Sequence, residues 1–391
     1  MQYIIGNGLS GLSAAYFSKE DNIVFGSDDS RILTLKTKLS IDVGAQFFSK
    51  NDQNLFDLTK NLLLENSLKE TTIDKLSMQH KQELFKINDN FSELNEVMAK
   101  KLNEFKTFLS KSDELLEKMP KELFETNFNK WYKKNFDKDT IWFIDSLLKS
   151  ITFIESKDVC AFYGIIACQS FFTKTYTFEK GLSEIINKLK EKTKVESAEV
   201  RQISFSSGNA TIFFDKNEKI SENGDKIISA IPSNKLAKIL EEKELANVLK
   251  KMPYAGCSVL VANSDAPLTK KTNGIIFSKK QKISAILKNE EYYTILAPYK
   301  KDQTAPNQKI LLNELKKITN NDNIEITCFK NWDYGLPTCS PKMFKYQQKI
   351  IEITNQYDNF AICGDFMGLP SLDACVESAK KAVLKIEKNN P

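Results

Sequence analysis

Three glycines near the start of the chain stand at a spacing that suits phosphate chemistry: Gly6-Asn7-Gly8-Leu9-Ser10-Gly11 reads G-x-G-x-x-G. Before them, Met1-Gln2-Tyr3-Ile4-Ile5 is an apolar run that predicts a strand; after them, Leu12-Ser13-Ala14-Ala15-Tyr16-Phe17 repeats apolar residues at helical spacing. Strand, turn and helix in that order make the spacing informative. Gly6 allows the tight turn, Gly8 the close approach of a pyrophosphate, and Gly11 the packing of helix on strand. The N–H groups at the helix start, Leu9 and Ser10, then face the phosphates with the helix dipole behind them. A glycine-rich surface loop is the plainer alternative, and the far end of the chain counts against it.

There, Phe360-Ala361-Ile362-Cys363 predicts a short buried strand, Gly364 to Ser371 a turn, and Leu372 to Ile386 a long helix. Asp365 falls where a parallel strand ends and a helix is about to begin, the place where α/β folds hold ligands. N–H groups at Ser371 and Leu372 point out of that helix start toward an acceptor. Alternatively Asp365 is a turn or cap residue. Near the first motif, Asn22-Ile23-Val24-Phe25 predicts a second parallel strand. An acidic residue at its end would take ribose hydroxyls. Gly26 stands in that place, followed by Ser27 and Asp28, and Asp28 substitutes if the turn is displaced. Ile41 to Phe48 is strand-like but interrupted by Gly44-Ala45, which marks either close approach of a ligand or backbone, or a bend.

These elements need a large scaffold. At 391 residues the chain suggests two domains, interleaved. Its 56 basic and 51 acidic residues are mixed, giving a net charge of +5 with no basic block, so no nucleic-acid partner is expected. His80 is the single histidine and sits among polar residues, which excludes a multi-histidine metal site; no metal is expected. The seven cysteines are scattered without a C-x-x-C pair and read as small buried hydrophobes of a reducing compartment. The first strand starts at Met1, which leaves no room for a signal peptide, and the longest uncharged run, Val159 to Thr173, is shorter than the roughly 20 apolar residues of a membrane span. A soluble, cytoplasmic protein is expected.

From Asn51 to Ser156 helical periodicity dominates: Leu55, Leu58, Leu62 and Leu63, then Phe91, Leu94, Met98, Leu102, Phe105 and Leu109, ended near Pro120, with a hairpin around Ser77 to Ile87 between them. Gly181 to Lys192 and Ser233 to Leu240 read as helices, and Ile227 to Ile231 as a strand. From Gly256 to Cys328 strand-like runs alternate with turns and predict an antiparallel sheet. The fold class is α/β plus α+β. A Rossmann-type domain over 1–50, 175–240 and 345–391 is interleaved with a substrate domain, helical over 51–174 and antiparallel over 241–344.

Gly6-x-Gly8-x-x-Gly11-Leu12-x-Ala14-Ala15 resembles the opening of the flavin-containing amine oxidase superfamily, and Gly364-Asp365-Phe366 through Pro370-Ser371-Leu372-Asp373-Ala374 resembles its closing flavin motif. Asp42-Val43-Gly44-Ala45-Gln46-Phe47-Phe48, Pro253-Tyr254-Ala255-x-Cys257-Ser258 and Asn331-Trp332-x-Tyr334-x-Leu336-Pro337 are similar to segments of renalase-like proteins. The resemblance implies FAD extended across the Rossmann-type domain, with Gly6, Gly8 and Gly11 at the pyrophosphate and Asp365 on a ribityl hydroxyl. It places the Leu372 N–H at the flavin pyrimidine edge, Gly44, Ala45 and Gln46 beneath the ring, and Val200 against the adenine. Arg31 corresponds to an arginine that follows the second strand in relatives, although the Gly-Gly before it is missing. Phe47 and Trp332 are implied walls of the substrate cavity. The implied activity is FAD-dependent oxidation of a small molecule, a reduced nicotinamide species or an amine, by hydride transfer to flavin N5, with oxygen or another acceptor completing the cycle. Two further readings stand beside it. One is a membrane-surface FAD enzyme acting on a lipidic or tetrapyrrole-like substrate, suggested by the Lys-rich helices. The other is a degenerate flavin fold that only binds.

Overall fold

The structure is a computed structural model describing all residues except 28–29, 72–75, 81–82, 88–95, 135, 215–217, 223, 269–271, 279–280, 301–302 and 389–391; of residues 80, 98, 112 and 139 it describes the backbone alone. The readings of Asp28, Phe91, Leu94 and the side chains of His80 and Met98 therefore lie outside the described residues. Two compact units emerge: 1–69, 176–253 and 342–391 form the first, and 70–175 and 254–341 the second.

The first unit is built on a five-stranded sheet. β1 (Gln2–Ile5) lies at its centre, flanked by β2 (Asn22–Phe25) and by Lys226–Ser229; Val195–Glu196 and Phe360–Ile362 form the two edges. Every pairing is parallel, with Ile4 level with Val24 and Ile228, and Ile228 level with Ala361. Such strands are covered on both faces, which is why they read as continuous apolar runs rather than alternating ones. Helix α1 (Leu9–Phe17) is buried from Leu9 to Ala15. Its Leu12, Ala14 and Ala15 share one core with Ile4, Val24 and Ile228 and with Val376, Ala379 and Val383 of the closing helix, Leu372–Lys388. Lys226 is buried within the sheet, where Glu20 neutralises it.

The unit boundaries fall at 69/70 and 253/254, not at the expected 50/51 and 240/241. Packing explains both shifts. Helix Gln53–Asn61 turns Leu55 and Leu58 into the core of the first unit, and Asp373 accepts the Leu55 N–H at 2.8 Å and the Asn54 amide at 3.1 Å. Helix Lys243–Lys250 buries Leu245, Ala246, Val248 and Leu249, and Glu244 pairs with Lys349 of helix Met343–Thr354 at 3.0 Å.

The second unit carries a seven-stranded sheet in the order Glu325–Pro337, Tyr254–Asn263, Tyr292–Lys300, Ala285–Asn289, Gly274–Ile276, Leu76–His80, Glu83–Lys86. All neighbours are antiparallel except Gly274–Ile276 with Leu76–His80. The hairpin expected near Ser77 thus joins a sheet whose other strands lie nearly two hundred residues later in the chain. Helix Gln308–Thr319 seals one face through Leu311 and Leu315, against Leu260, Tyr293 and Ile295. In helix Glu96–Ser110 the expected face, Leu102, Phe105 and Leu109, is buried. Pro120 does not simply end the helical run: Ser112–Lys118 stops before it, and it opens the next helix, Pro120–Glu125, where its missing N–H costs nothing. Cys160 caps helix Ala161–Phe171 by accepting the Tyr163 N–H at 3.4 Å, and its Sγ lies 3.8 Å from that of Cys339. Among the described residues no helix is long and apolar enough to cross a membrane.

Candidate cofactor site

Each glycine of the first turn has a different reason to be glycine. Gly6 holds φ at +112°, and a Cβ there would stand 3.0 Å from the Ile231 side chain and 3.1 Å from the Ala230 carbonyl carbon. At Gly11 a Cβ would fall 1.8 Å from the Gly6 carbonyl oxygen, so α1 could not close on the turn. At Gly8 an added Cβ meets nothing within 4 Å. Internal packing therefore explains Gly6 and Gly11, while Gly8 faces open space at the start of α1. That helix has no side-chain cap and no acidic residue in its first turn. The N–H groups of Leu9 and Ser10 are thus presented at the positive end of a helix dipole, an arrangement that stabilises a bound anion.

A second cluster forms where the edge strand Phe360–Ile362 ends. Gly364 holds φ at +145° and Asp365 follows it, buried. Arg31 Nη1 donates to Asp365 Oδ2 at 2.6 Å, across 334 residues of chain. The other carboxylate oxygen, Oδ1, is buried with no partner among the described residues. A buried acceptor left open costs of the order of 1–3 kcal/mol unless a donor reaches it. Gln347 clamps the turn by donating to the carbonyls of Phe366 and Gly368, at 2.8 and 2.9 Å, and the Ser378 hydroxyl bonds both the N–H and the carbonyl of Gly364. Nothing in the sequence marks Gln347, and Ser378, inside the closing helix, is silent about its partner. Ser371 accepts the Ala374 N–H at 3.0 Å and so acts as the N-cap of the closing helix, which occupies its hydroxyl. The Leu372 N–H has no partner among the described residues.

Gly44 resolves one open alternative: a Cβ there would lie 1.7 Å from the Arg31 carbonyl oxygen, so the close approach is that of another backbone. Ala45 N–H donates to the same oxygen at 3.3 Å, and Val43 N–H to Leu33 at 2.8 Å, which lays residues 43–45 along 31–33. The Gln46 amide donates to the carbonyls of Asp42 and Gly44, at 2.6 and 3.1 Å, and is spent on holding that bend. Asp42 accepts from the Thr34 hydroxyl and from the Leu182 N–H at 3.0 Å; burial raises its carboxyl to about 6. Phe48 packs with Phe56, Tyr176 and Phe178 in the core, leaving Phe47 half-buried on the alternate face. Ser27 is exposed beyond β2, and Val200 is buried after the edge strand Val195–Glu196. The contacts thus join Arg31, Gly44, Ala45, Gln46 and Asp365 into one cluster, whereas Val200 makes no described contact with it.

Trp332 belongs to the second unit. It is 8% exposed on strand Glu325–Pro337, opposite Cys257, and the Lys330 ammonium lies 4.8 Å from its ring centroid. Beside it, the Tyr299 hydroxyl donates to Asp333 at 2.7 Å, and the rings of Tyr254 and Tyr334 meet edge to face at 5.5 Å.

A parallel sheet, a phosphate-ready glycine turn and a second polar turn at the end of its last strand define a dinucleotide-type cofactor fold. Comparison with known proteins makes that specific. The sequence profile of the family described as flavin containing amine oxidoreductase matches residues 30–325, and the chain belongs to that family. It is a FAD-dependent oxidoreductase. Both glycine-bearing turns lie outside the matched span, so they speak for the cofactor independently. Among solved structures the chain is similar to cyclohexylamine oxidase from Brevibacterium oxydans IH-35A, with a TM-score of 0.74 and 14% identity over 99% of this chain and 98% of that one. It is also similar to putrescine oxidase bound to putrescine, with a TM-score of 0.75 and 14% identity over 99% and 98%. A third likeness is to a fatty acid isomerase from P. acnes that produces CLA, with a TM-score of 0.77 and 12% identity over 98% and 97%. Among curated proteins no sequence matches.

Proposed function

We propose that the protein oxidises a small organic hydride donor, a reduced nicotinamide species before an amine. In this reading Gly8, Leu9 and Ser10 receive the FAD pyrophosphate, Asp365 Oδ1 accepts a ribityl hydroxyl, and the Leu372 N–H meets the pyrimidine edge of the ring. The observation that carries it is Asp365: a buried carboxylate, fixed by Arg31 through one oxygen, with the other open to a hydroxyl donor. Bound FAD supplies a two-electron acceptor at ring nitrogen N5. The residues' own work is to hold that ring, orient the donor and exclude water. In this reading Gly44, Ala45 and Gln46 run beneath the ring, which their attachment to the backbone of Arg31, the partner of Asp365, supports. Phe47, half-buried beside the bend at residues 43–46, is assigned to the donor's surroundings. Oxygen serves as the final acceptor.

The test is anaerobic reduction of the purified, FAD-loaded protein. Bleaching of the flavin bands by NADH or NADPH, faster than by cyclohexylamine or putrescine, supports the reading. Reduction by amines alone overturns the preferred donor.

A further inference from the structure

We infer that Asn7, inside the glycine turn, holds the ribose hydroxyls of the adenosine half of FAD, in place of an acidic residue at the end of β2. In dinucleotide folds that task belongs to a carboxylate about 20 residues after the glycines. This chain has Gly26 there, and its backbone gives no conformational reason for a glycine, since φ at residue 26 is not in the left-handed region. The reason is space. A Cβ at residue 26 would stand 2.7 Å from Asn7 Cγ, 2.8 Å from its Oδ1 and 2.8 Å from its backbone nitrogen. The carboxamide of Asn7 thus lies over the end of β2, on the ground from which an acidic side chain would otherwise project. Gly26 N–H is fixed by the Glu196 carbonyl at 3.2 Å and Gly6 N–H by that of Phe25 at 2.7 Å, so turn and strand end are tied in register.

Asn7 is 7% exposed, and its carboxamide has no hydrogen-bond partner among the described residues. A vicinal diol suits that carboxamide: Oδ1 accepts from one hydroxyl and Nδ2 donates to its neighbour, where a carboxylate would accept from both. Recognition is then neutral. It does not vary with pH through a carboxylate, and it does not repel added negative charge on the ribose.

The experiment titrates apoprotein with FAD and with a FAD analogue whose adenosine ribose lacks both hydroxyls, following flavin fluorescence. The parent prefers FAD. Asn7→Ala weakens FAD about tenfold, the scale of one or two hydrogen bonds, and abolishes the preference between the two ligands. Gly26→Ala, whose methyl would press on both the carboxamide and the backbone nitrogen of Asn7, weakens FAD as well. Unchanged FAD affinity in Asn7→Ala overturns the inference, as does equal weakening of both ligands, which would make Asn7 a shaper of the turn. A parent that binds neither ligand overturns it too, and is recognisable as a failure of the cofactor assignment itself.

Discussion

At the scale of single residues, the charges in the first unit are held by geometry that mutation can read. Asp365 is buried and Arg31 is its cation, so Arg31→Ala strands an anion; a loss of about 3 kcal/mol is expected by chemical denaturation, smaller in the Asp365→Asn background. Asp42 makes stability depend on pH. Its folded carboxyl is raised to about 6 from 3.8, so the folded state holds the proton more tightly. Stability should therefore fall as pH rises from about 4 to 6, with the full penalty above that window. Asp42→Asn should remove this part of the pH dependence and gain of the order of 1–3 kcal/mol at pH 7, measured as the difference from the parent in paired melts. Sequence reading found Gly6 and Gly11 because part of the reason for each is local: a positive φ at Gly6, and the Gly6 carbonyl five residues before Gly11. It could not decide Gly44, Gln46 or Ser371, whose partners are set by a short hairpin register, Thr34–Lys36 against Ser40–Asp42, and by a helix cap.

Elements show where the same residue type does different work. Gly11→Ala drives a methyl against the Gly6 carbonyl and should separate α1 from β1, destabilising the apoprotein by several kcal/mol. Gly8→Ala meets open space and should leave the apoprotein melt within about 1 kcal/mol of the parent while weakening FAD at least tenfold. A Gly8→Ala variant that binds FAD normally would remove Gly8 from the pyrophosphate site. The helices and central strands were legible because their apolar spacing is local. The parallel pairing of Leu76–His80, a strand of the expected hairpin, with Gly274–Ile276 was not, since a pairing between distant segments leaves no periodic trace in either. Pro120 was read as a stop and is also a start, which only the cap geometry distinguishes.

For the molecule as a whole, the interleaving was visible at its two ends, where motifs of one type bracket a stretch of another. Its boundaries were not. Helix Gln53–Asn61 and helix Lys243–Lys250 are amphipathic in a way that would suit either unit, and the decision rests on Asp373, Glu244 and the apolar faces they accompany. Asp373→Ala should loosen Gln53–Asn61 first, seen as faster amide exchange there than in β1. The placement of Phe360–Ile362 and Asp365 at the end of the chain has a consequence for biosynthesis. β1 is the middle of the sheet, yet its partner Lys226–Ser229 is more than 200 residues away in sequence, and the outer strand and Asp365 come later still. A ribosome that has not yet reached residue 360 carries a glycine turn with no second half, and Lys226–Ser229 waits as the outer strand for a neighbour not yet made.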